Sequence, residues 1–264
     1  MGDFEGKVIL VTGSATGLGA AIAIGAARRG AKAVILNCTK SLKEVEATAD
    51  AVRKAGAEAS IAIGDVGEDA DCRKIAEAAS RYGKIDALVN NAGITKHVPN
   101  HADLDGLSKE DFLRVYAINT VGPFQMIRAC RAFLEKAGAA SVLMTSSIAG
   151  VTGAGSSVAY AASKGALNTM TLSLARVLGP KIRVNAICPG YIDTRWFSDA
   201  FGEQVTAGIR ERIVNATPLK AASRAEDIAD AALFLISDAA RHVTGEMLLV
   251  DAGLHLGSAP LAAR

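Results

Sequence analysis

Short apolar runs alternate with longer amphipathic or alanine-rich stretches along the chain. Residues 7–12 hold a continuous apolar run that ends at Gly13, which is typical of a strand buried on both faces. Seven strands are predicted in this way, over residues 7–12, 33–37, 60–64, 85–90, 140–145, 182–187 and 247–250. Helices are predicted over residues 19–29, 41–55, 69–82, 109–136, 157–178 and 226–237.

Regular alternation of strand and helix indicates a parallel sheet with helices on both faces. The sequence therefore predicts an α/β protein with a doubly wound Rossmann fold and a seven-stranded parallel sheet. No linker rich in proline, serine or glycine and no internal repeat interrupts the pattern, so residues 1–264 are expected to form a single domain. Gly122 and Pro123 fall inside the predicted helix 109–136, where we expect a kink.

Composition and charge limit the kinds of molecule that the protein is expected to bind. Half of the 264 residues are apolar, which is enough for one large core. The 29 basic and 27 acidic residues are mixed along the chain and give a net charge of +2, so neither nucleic acid nor a membrane surface is expected as a partner. Glycine, serine and threonine interrupt the two longest uncharged stretches, residues 8–27 and 137–163, so neither is expected to span a membrane.

Two further features predict a cytoplasmic protein. The N-terminus has no basic segment followed by an apolar stretch, so no signal peptide is expected. The four cysteines are widely spaced without a C-x-x-C pair, which disfavours a disulfide framework or a zinc cluster and fits a reducing compartment. They are Cys38, Cys72, Cys130 and Cys188.

Three glycines stand where the first strand meets the first helix, in the sequence TGSATGLG of residues 12–19. Gly13, Gly17 and Gly19 allow a tight turn and let the backbone approach a pyrophosphate without a Cβ in the way. The free N–H groups and partial positive charge at the start of the next helix favour the same ligand. A glycine-rich turn without a ligand is the alternative, but the flanking strand and helix favour phosphate binding.

This turn resembles the TGxxxGxG signature of the short-chain dehydrogenase/reductase family, and residues 90–93 resemble the family's NNAG motif. The resemblance extends over roughly residues 5–253. It implies a nicotinamide cofactor and a homotetramer, for which the small residues of the predicted helix 157–178 would permit close packing. Those small residues are Ala159, Ala161, Ala162, Gly165 and Ala166. The implied cofactor contacts in the two motifs are Gly13, Ser14, Thr16, Gly17, Leu18, Gly19, Asn91, Ala92 and Gly93.

Tyr160 and Lys164 are four residues apart in a predicted helix, so they lie on one face, one turn apart. A phenol has a pKa of about 10, and an ammonium about 4 Å away stabilises the phenolate by at most about 4 kcal/mol at an effective dielectric of 20. That is about three pKa units, so we expect the pair to exchange a proton near pH 7. An ordinary pair on a helix surface is the alternative.

Ser147 strengthens the catalytic interpretation because it follows the fifth strand, at the sheet edge where ligands bind. It precedes Tyr160 by thirteen residues, the spacing between the family's serine and tyrosine, and this favours it over the adjacent Ser146. Asn119 resembles the fourth catalytic residue of the family. The resemblance implies that Tyr160 exchanges the proton and that Ser147 orients the carbonyl. It also implies that Lys164 binds the nicotinamide ribose and tunes Tyr160, and that Asn119 supports a proton relay through water.

The resemblance assigns two further groups of cofactor contacts. The segment after the sixth strand resembles the family's PGxxxT sequence and implies nicotinamide contacts from Pro189, Gly190, Ile192 and Thr194. Asp65 and Val66 match the pair that contacts adenine, although Asp65 could instead be a turn residue at a strand end. Tyr160 and Lys164 are expected to contact the cofactor as well.

The residue after the second strand discriminates between the two nicotinamide cofactors, because an acid there binds the 2′-hydroxyl of NAD and repels the 2′-phosphate of NADP. By the family's pattern Cys38 occupies that position, and Thr39, Lys40 and Ser41 follow it. Lys40 and Ser41 could bind a phosphate. Thr16 stands where NADP-dependent relatives often carry a basic residue, which argues the other way. We expect NADP(H) to be preferred over NAD(H).

Residues 191–217 correspond to the family's substrate lid, in which Trp196 and Phe197 either face the substrate or form the lid's own core. His97 and His101 are four residues apart in a polar segment, but no third ligand is evident and no metal is expected. The apolar extension of residues 254–264 could pack at a subunit interface or fray.

These features predict a reductase that transfers hydride between a nicotinamide and a carbonyl or alcohol, most similar to the 3-oxoacyl-carrier-protein reductase branch. The expected substrate is a small ketone, a 3-oxoacyl thioester on acyl-carrier protein or coenzyme A among them. An NAD-dependent alcohol, sugar or steroid dehydrogenase is the alternative. A non-catalytic NADP-binding regulator is less favoured, because a pure sensor need not retain Ser147, Tyr160 and Lys164.

Overall fold

The computed structural model describes residues 3–257. Its strands are β1 (Val8–Val11), β2 (Ala33–Cys38), β3 (Glu58–Ile63), β4 (Ala87–Asn90), β5 (Ala140–Thr145), β6 (Ile182–Pro189) and β7 (Met247–Val250). All neighbouring strands are parallel, and they form one sheet in the order β3-β2-β1-β4-β5-β6-β7. The α/β class and the seven-stranded parallel sheet expected from the sequence are confirmed.

Helices cover both faces of this sheet. They are α1 (Gly17–Arg28), α2 (Leu42–Lys54), α3 (Asp69–Glu77), α4 (Lys109–Tyr116), α5 (Gly122–Ala137), α6 (Ala149–Thr152), α7 (Val158–Leu178), α8 (Arg195–Phe201), α9 (Glu203–Ala216) and α10 (Ala225–Ile236). The core on one face is formed with α1, α2 and α10, and the core on the other with α3, α5 and α7.

Strand β1 shows why the central strands are apolar at every position. Ile9 and Val11 face the core beneath α1, whereas Val8 and Leu10 face the opposite core. All four side chains are at most 1% exposed. A strand covered on both faces has no solvent-facing side, so its sequence does not alternate.

The connectivity places a crevice at the carboxyl ends of β1 and β4. From β1 the chain builds outward through β2 to β3, then crosses to the other side of β1 to form β4. Loops after β1 and β4 therefore diverge to opposite sides of the sheet, and open α/β sheets bind ligands in the space that this leaves.

The structure differs from the prediction most clearly in the expected helix 109–136. It is divided into α4 and α5 by a wide π-type turn, Ala117–Val121, that ends immediately before Gly122. The turn contains the fully buried Asn119, whose side chain bonds a neighbouring loop. The helix predicted over residues 69–82 also ends early, at Glu77, and turns follow it.

Within residues 3–257, no helix has both the length and the apolar character needed to cross a membrane. The extension expected at residues 254–264 begins with a 3-10 turn, Leu254–Leu256, and its last seven residues lie outside the described part of the chain.

Candidate active site

The glycine turn between β1 and α1 leaves room for a ligand against its backbone. Gly13 and Gly17 both have φ near +59°, a conformation that favours glycine. A Cβ at Gly19 would lie only 2.3 Å from the carbonyl oxygen of Gly13. Thr16 precedes α1 without capping it through its side chain, and the first turn of α1 has no acidic residue. The N–H groups at this helix start are therefore suited to a pyrophosphate, as a dinucleotide cofactor requires.

Asn37, at the end of β2, holds this turn in place and was missed by sequence reasoning. Its side-chain oxygen accepts the N–H of Gly13 at 3.2 Å, and its amide donates to the carbonyls of Ala62 and Gly64 at 3.1 and 3.0 Å. The backbone N–H of Asn37 donates to the hydroxyl of Ser14 at 2.9 Å. A buried asparagine in an otherwise apolar run was the only signal for this role.

The NNAG segment ties β4 to the same turn. The Thr12 hydroxyl accepts the backbone N–H groups of Asn91 and Ala92, both at 3.0 Å. The Asn91 amide donates to the carbonyls of Thr12 and Gly13 at 3.1 and 2.9 Å. In the structure, Asn91 thus braces the floor of the crevice with its side chain.

The segment after β6 closes the crevice from above. A Cβ at Gly17 would lie 3.7 Å from the Thr194 methyl carbon, so this segment reaches the glycine turn. Ile192 bridges to Ser223, and Gly190 packs so closely on Asp251 that a Cβ there would lie 2.7 Å from the Asp251 Cβ. The residues expected to hold nicotinamide therefore line the same crevice as those expected to hold phosphate.

Asp65, which is expected to contact adenine, lies in a turn. Its carboxylate accepts the N–H of Gly67 at 2.8 Å, and its own N–H donates to Asp71 at 3.0 Å. Val66 is buried, and its carbonyl accepts the Gln125 amide at 3.1 Å. Both residues lie just beyond β3, on the side of the crevice that β2 borders.

Beyond β5, Ser147 rather than Ser146 meets Tyr160. The Ser147 hydroxyl accepts the N–H of Ala149 at 3.1 Å, and it lies close enough to the Tyr160 phenol to act on the pKa of that group. Ser146 is buried and donates to the Lys164 carbonyl at 3.2 Å, away from the phenol. Tyr160 is positioned by the start of α7, where its N–H donates to the Ser157 hydroxyl at 3.1 Å.

Lys164 lies beneath this pair, one turn further along α7. Its side chain is 4% exposed, and its Nζ donates to the Thr145 carbonyl at 2.6 Å. The Nζ is 5.6 Å from the centre of the Tyr160 ring. Burial lowers the pKa of Lys164 to about 8, so most of these amines carry a proton at pH 7.

The expected lowering of the Tyr160 pKa by Lys164 is not found in the protein chain itself. Burial raises the pKa of Tyr160 to about 12, and the hydrogen bond with Ser147 opposes only part of that rise. An effective dielectric of 20 describes a partly solvated site. Helix α7 instead places the Tyr160 phenol where desolvation dominates its pKa. Tyr160 is therefore protonated at neutral pH.

Asn119 reaches the site from the π-type turn between α4 and α5. Its side chain both accepts from and donates to the backbone of Ile94, each at 2.9 Å, and donates to the Ser163 hydroxyl at 3.1 Å. A Cβ at Gly93 would lie 3.4 Å from the Asn119 oxygen and 3.7 Å from the Lys164 Nζ. Asn119 and Lys164 therefore approach the same glycine from two helices.

Cys38, the last residue of β2, presents a thiol and not a carboxylate. The thiol is 6% exposed, and burial raises its pKa while a hydrogen bond from the Ser41 backbone lowers it. Thr39, Lys40 and Ser41 are exposed beside it. The carboxylate of Glu44 lies further along α2, 3.9 Å from Arg195.

The lid segment contains α8 and α9, which the sequence pattern did not predict. Phe197 packs on Tyr191 with ring centres 4.7 Å apart, so it belongs to the lid's own core. Trp196 instead lies beside Tyr160, with ring centres 6.5 Å apart. His97 packs on Phe201 at 4.8 Å, and His101 contacts the Gly155 carbonyl at 3.1 Å. Across residues 3–257, no three potential metal ligands come together.

Comparison with known proteins identifies the family. The family described as "Enoyl-(Acyl carrier protein) reductase" matches residues 13–255. A protein named as ketoacyl reductase 2 of the granaticin polyketide synthase of Streptomyces violaceoruber is 41% identical over 255 residues, which are 96% of this chain and 97% of that protein. A structure titled as a short-chain dehydrogenase/reductase from Burkholderia xenovorans is also 41% identical, with a TM-score of 0.87 and coverage of 96% of this chain and 99% of that chain.

The chain belongs to the short-chain dehydrogenase/reductase family. It is an NAD(P)-dependent oxidoreductase of ketone and alcohol groups, as the sequence predicted. A 3-oxoacyl-(acyl-carrier-protein) reductase from Agrobacterium tumefaciens with NADP bound is a further structural neighbour of this short-chain dehydrogenase/reductase. It has 29% sequence identity, a TM-score of 0.85 and coverage of 95% of both chains.

Proposed function

We propose that this short-chain dehydrogenase/reductase reduces a 3-oxoacyl thioester or a similar ketone with NADPH. The observation that carries the proposal is the Tyr160 phenol, which lies beside Ser147 and above the buried Lys164. A phenol in this place can donate the proton that reduction of a carbonyl requires. The granaticin relative and the Agrobacterium neighbour, both named as ketoacyl or oxoacyl reductases, support the same direction.

In this proposal each side chain has a definite task. Ser147 donates a hydrogen bond to the substrate carbonyl and holds it beside Tyr160. Tyr160 gives its proton to the carbonyl oxygen as the carbon becomes a secondary alcohol. The nicotinamide supplies the hydride when it is bound. Lys164, held by Thr145, would bind the nicotinamide ribose and lies on the path by which a proton returns to Tyr160. Asn119 supports that path through its two hydrogen bonds with the backbone of Ile94.

The cofactor contacts remain those expected from the sequence. Phosphates would lie against residues 13–19, adenine against Asp65 and Val66, and nicotinamide against residues 189–194. The NNAG segment would border the cofactor through Ala92 and Gly93, with the Asn91 side chain positioning the turn. Coenzyme A or an acyl-carrier protein would deliver the thioester.

A spectrophotometric screen tests this function. Oxidation of NADPH and of NADH would be followed with β-ketoacyl thioesters, diketones and simple ketones. We expect NADPH oxidation that depends on a ketone and on the protein. Oxidation of neither cofactor with any of these compounds would contradict the proposal.

We also propose that NADPH is preferred because Cys38 replaces the acid that selects NAD. Changing Cys38 to Asp should shift relative kcat/KM toward NADH by about tenfold or more. Repulsion of a 2′-phosphate bound at the exposed Lys40 and Ser41, and loss of its favourable contact there, should each contribute on the order of 1 kcal/mol. A tenfold change in relative kcat/KM corresponds to about 1.36 kcal/mol.

Steady-state kinetics with both cofactors measures this shift. Cys38→Asn is the matched control, because asparagine has the size of aspartate without its charge. This variant should retain the preference for NADPH. An unaltered protein that already prefers NADH would contradict the proposed phosphate site at Lys40 and Ser41. An unchanged ratio in Cys38→Asp would show that residue 38 does not face the ribose.

We propose a homotetramer that acts in a reducing compartment, the cytoplasm. The edge strand β7 is apolar but each of its residues is partly exposed, and α7 exposes Ala162, Leu172 and Val177. Ala159 and Ala161 are buried inside the subunit, so they do not form the expected contact between subunits. All four cysteines are free and buried, which suits a reducing environment. Light scattering should give about four times 27.1 kDa at micromolar concentration, and a mass of one subunit would contradict the tetramer.

A further inference from the structure

Three segments form the wall around Tyr160, and a backbone hydrogen bond joins two of them. The loop after β4 joins the turn before α7, since the Val98 N–H donates to the Ser156 carbonyl at 2.8 Å. Thr95 and Ser156 share a hydrogen bond of 2.6 Å between their hydroxyls. Gly155 lies against the phenol ring, where a Cβ would be 3.4 Å from its edge. The third segment is the start of α8.

Trp196, in the first turn of α8, supplies an aromatic surface beside the phenol. It is the only tryptophan of the chain, and 37% of it is exposed. Its ring centre lies 6.5 Å from that of Tyr160, and the two ring planes are tilted by 55°. Phe197 and Tyr191 already form the core of the lid, so the fold of the lid does not account for the position of Trp196.

A second aromatic contact borders this wall. The edge-to-face contact of His97 with Phe201 joins the loop after β4 to the far end of α8. Burial lowers the pKa of His97, which keeps its ring neutral at pH 7. An aromatic ligand is favoured by such a surface, because aromatic rings attract each other beyond the effect of the area they bury.

The basic side chains near this wall are occupied by carboxylates of the chain. Arg210 pairs with Asp193 at 2.6 Å, and Lys96 lies 3.8 Å from Asp111. Arg195 lies between Glu44 and Asp199, at 3.9 and 3.7 Å. These pairs lie at the surface, where each of the three cations already faces a carboxylate of the chain.

We propose that Trp196 selects, among ketones that are not attached to a carrier, those whose carbonyl belongs to an apolar ring system, by stacking that ring on the indole while the carbonyl reaches Ser147 and Tyr160. This substrate class rests on the proposed ketone reduction. Carrier-free open-chain ketones present no flat surface to the indole.

Two ketones with ten carbons test the selection: bicyclic 2-tetralone and open-chain 2-decanone. Since the carbon number is equal, general apolar transfer does not favour 2-tetralone. We expect kcat/KM with NADPH to be at least ~10-fold higher for 2-tetralone, which corresponds to about 1.4 kcal/mol. Trp196→Ala should lower this ratio about tenfold through the KM for 2-tetralone, while its turnover of 2-decanone remains. Trp196→Phe should restore most of the ratio, because it keeps an aromatic face.

The single tryptophan also reports binding without turnover. Excitation at 295 nm follows Trp196 during titration of the NADP⁺-loaded protein, and 2-tetralone should saturate the change at a ~10-fold lower concentration than 2-decanone. Equal kcat/KM values for the two ketones, or a ratio that Trp196→Ala leaves unchanged, would overturn the inference. A saturating fluorescence change without reduction of either ketone would support the ring site and contradict the proposed function instead. A protein that neither binds nor reduces 2-tetralone would overturn the inference.

Discussion

Tyr160→Phe is expected to lower kcat for ketone reduction at least ~100-fold, the lower end for loss of a general acid. The phenol is the only hydroxyl proposed to give its proton to the substrate, and Ser147 and Lys164 cannot replace it. Ser147 is proposed only to hold the carbonyl, and the Lys164 amine is held on the Thr145 carbonyl. Affinity for NADPH should change little, because Lys164 and the glycine turn remain.

Steady-state kinetics and NADPH titration of the same preparations separate these two effects. Tyr82→Phe is the matched control, since it also removes a hydrogen-bonded hydroxyl, 2.9 Å from Ser60 at the distant edge strand β3. It should retain the kcat of the unaltered protein. If Tyr160→Phe retained more than a tenth of kcat under conditions where chemistry limits the rate, Tyr160 would not be the proton donor.

Gly19→Ala is expected to raise the Kd for NADPH at least ~10-fold. The new Cβ would lie 2.3 Å from the Gly13 carbonyl oxygen and 2.9 Å from the Ser14 Cα, both of them backbone atoms. The turn must move to relieve these contacts, and its N–H groups would then miss the pyrophosphate. Loss of two hydrogen bonds to a charged group corresponds to a tenfold effect or more.

Titration of NADPH fluorescence measures the change in Kd. Gly25→Ala is the control in the same helix α1, because its Cβ would approach the Leu233 side chain and no atom of the glycine turn. That variant should bind NADPH as the unaltered protein does. Equal Kd values for Gly19→Ala and the unaltered protein would show that the phosphates lie elsewhere.

The sheet could be predicted because its strands are buried on both faces. Each central strand is a run of apolar residues bounded by glycine or a polar residue, and β1 remains apolar at Val8, Ile9, Leu10 and Val11 alike. The edge strand β3 was less well placed, starting at Glu58 rather than residue 60, because its exposed positions weaken the apolar run.

The lid helices left no comparable signal in the sequence. Helix α8 buries none of its residues and α9 buries only Thr206, so neither needs an apolar stripe. The π-type turn was also hidden, because it depends on Asn119 bonding the backbone of Ile94, a contact between distant segments. Contacts of this kind do not follow from the local pattern that predicts a continuous helix.

Residue spacing predicted which side chains meet in the site, but it did not predict the direction of the Tyr160 pKa shift. The intervals between Ser147, Tyr160 and Lys164 indicated side chains that the structure does bring together. The direction of the Tyr160 pKa shift could not be obtained from spacing, because it depends on how far the surrounding elements exclude water. Asn37 was missed for a related reason, since its partners Gly13, Ala62 and Gly64 come from three different segments.

Transfer of deuterium from labelled NADPH tests the central claim most directly. The protein would reduce a ketone that passes the screen, with NADPH carrying deuterium at both positions of nicotinamide C4, and the alcohol would be analysed by mass spectrometry and NMR. One deuterium on the carbinol carbon for each NADPH oxidised is the expected result, with loss of that product in Tyr160→Phe. Oxidation of the labelled NADPH without deuterium at that carbon would contradict a hydride transfer to the carbonyl held by Ser147 and Tyr160.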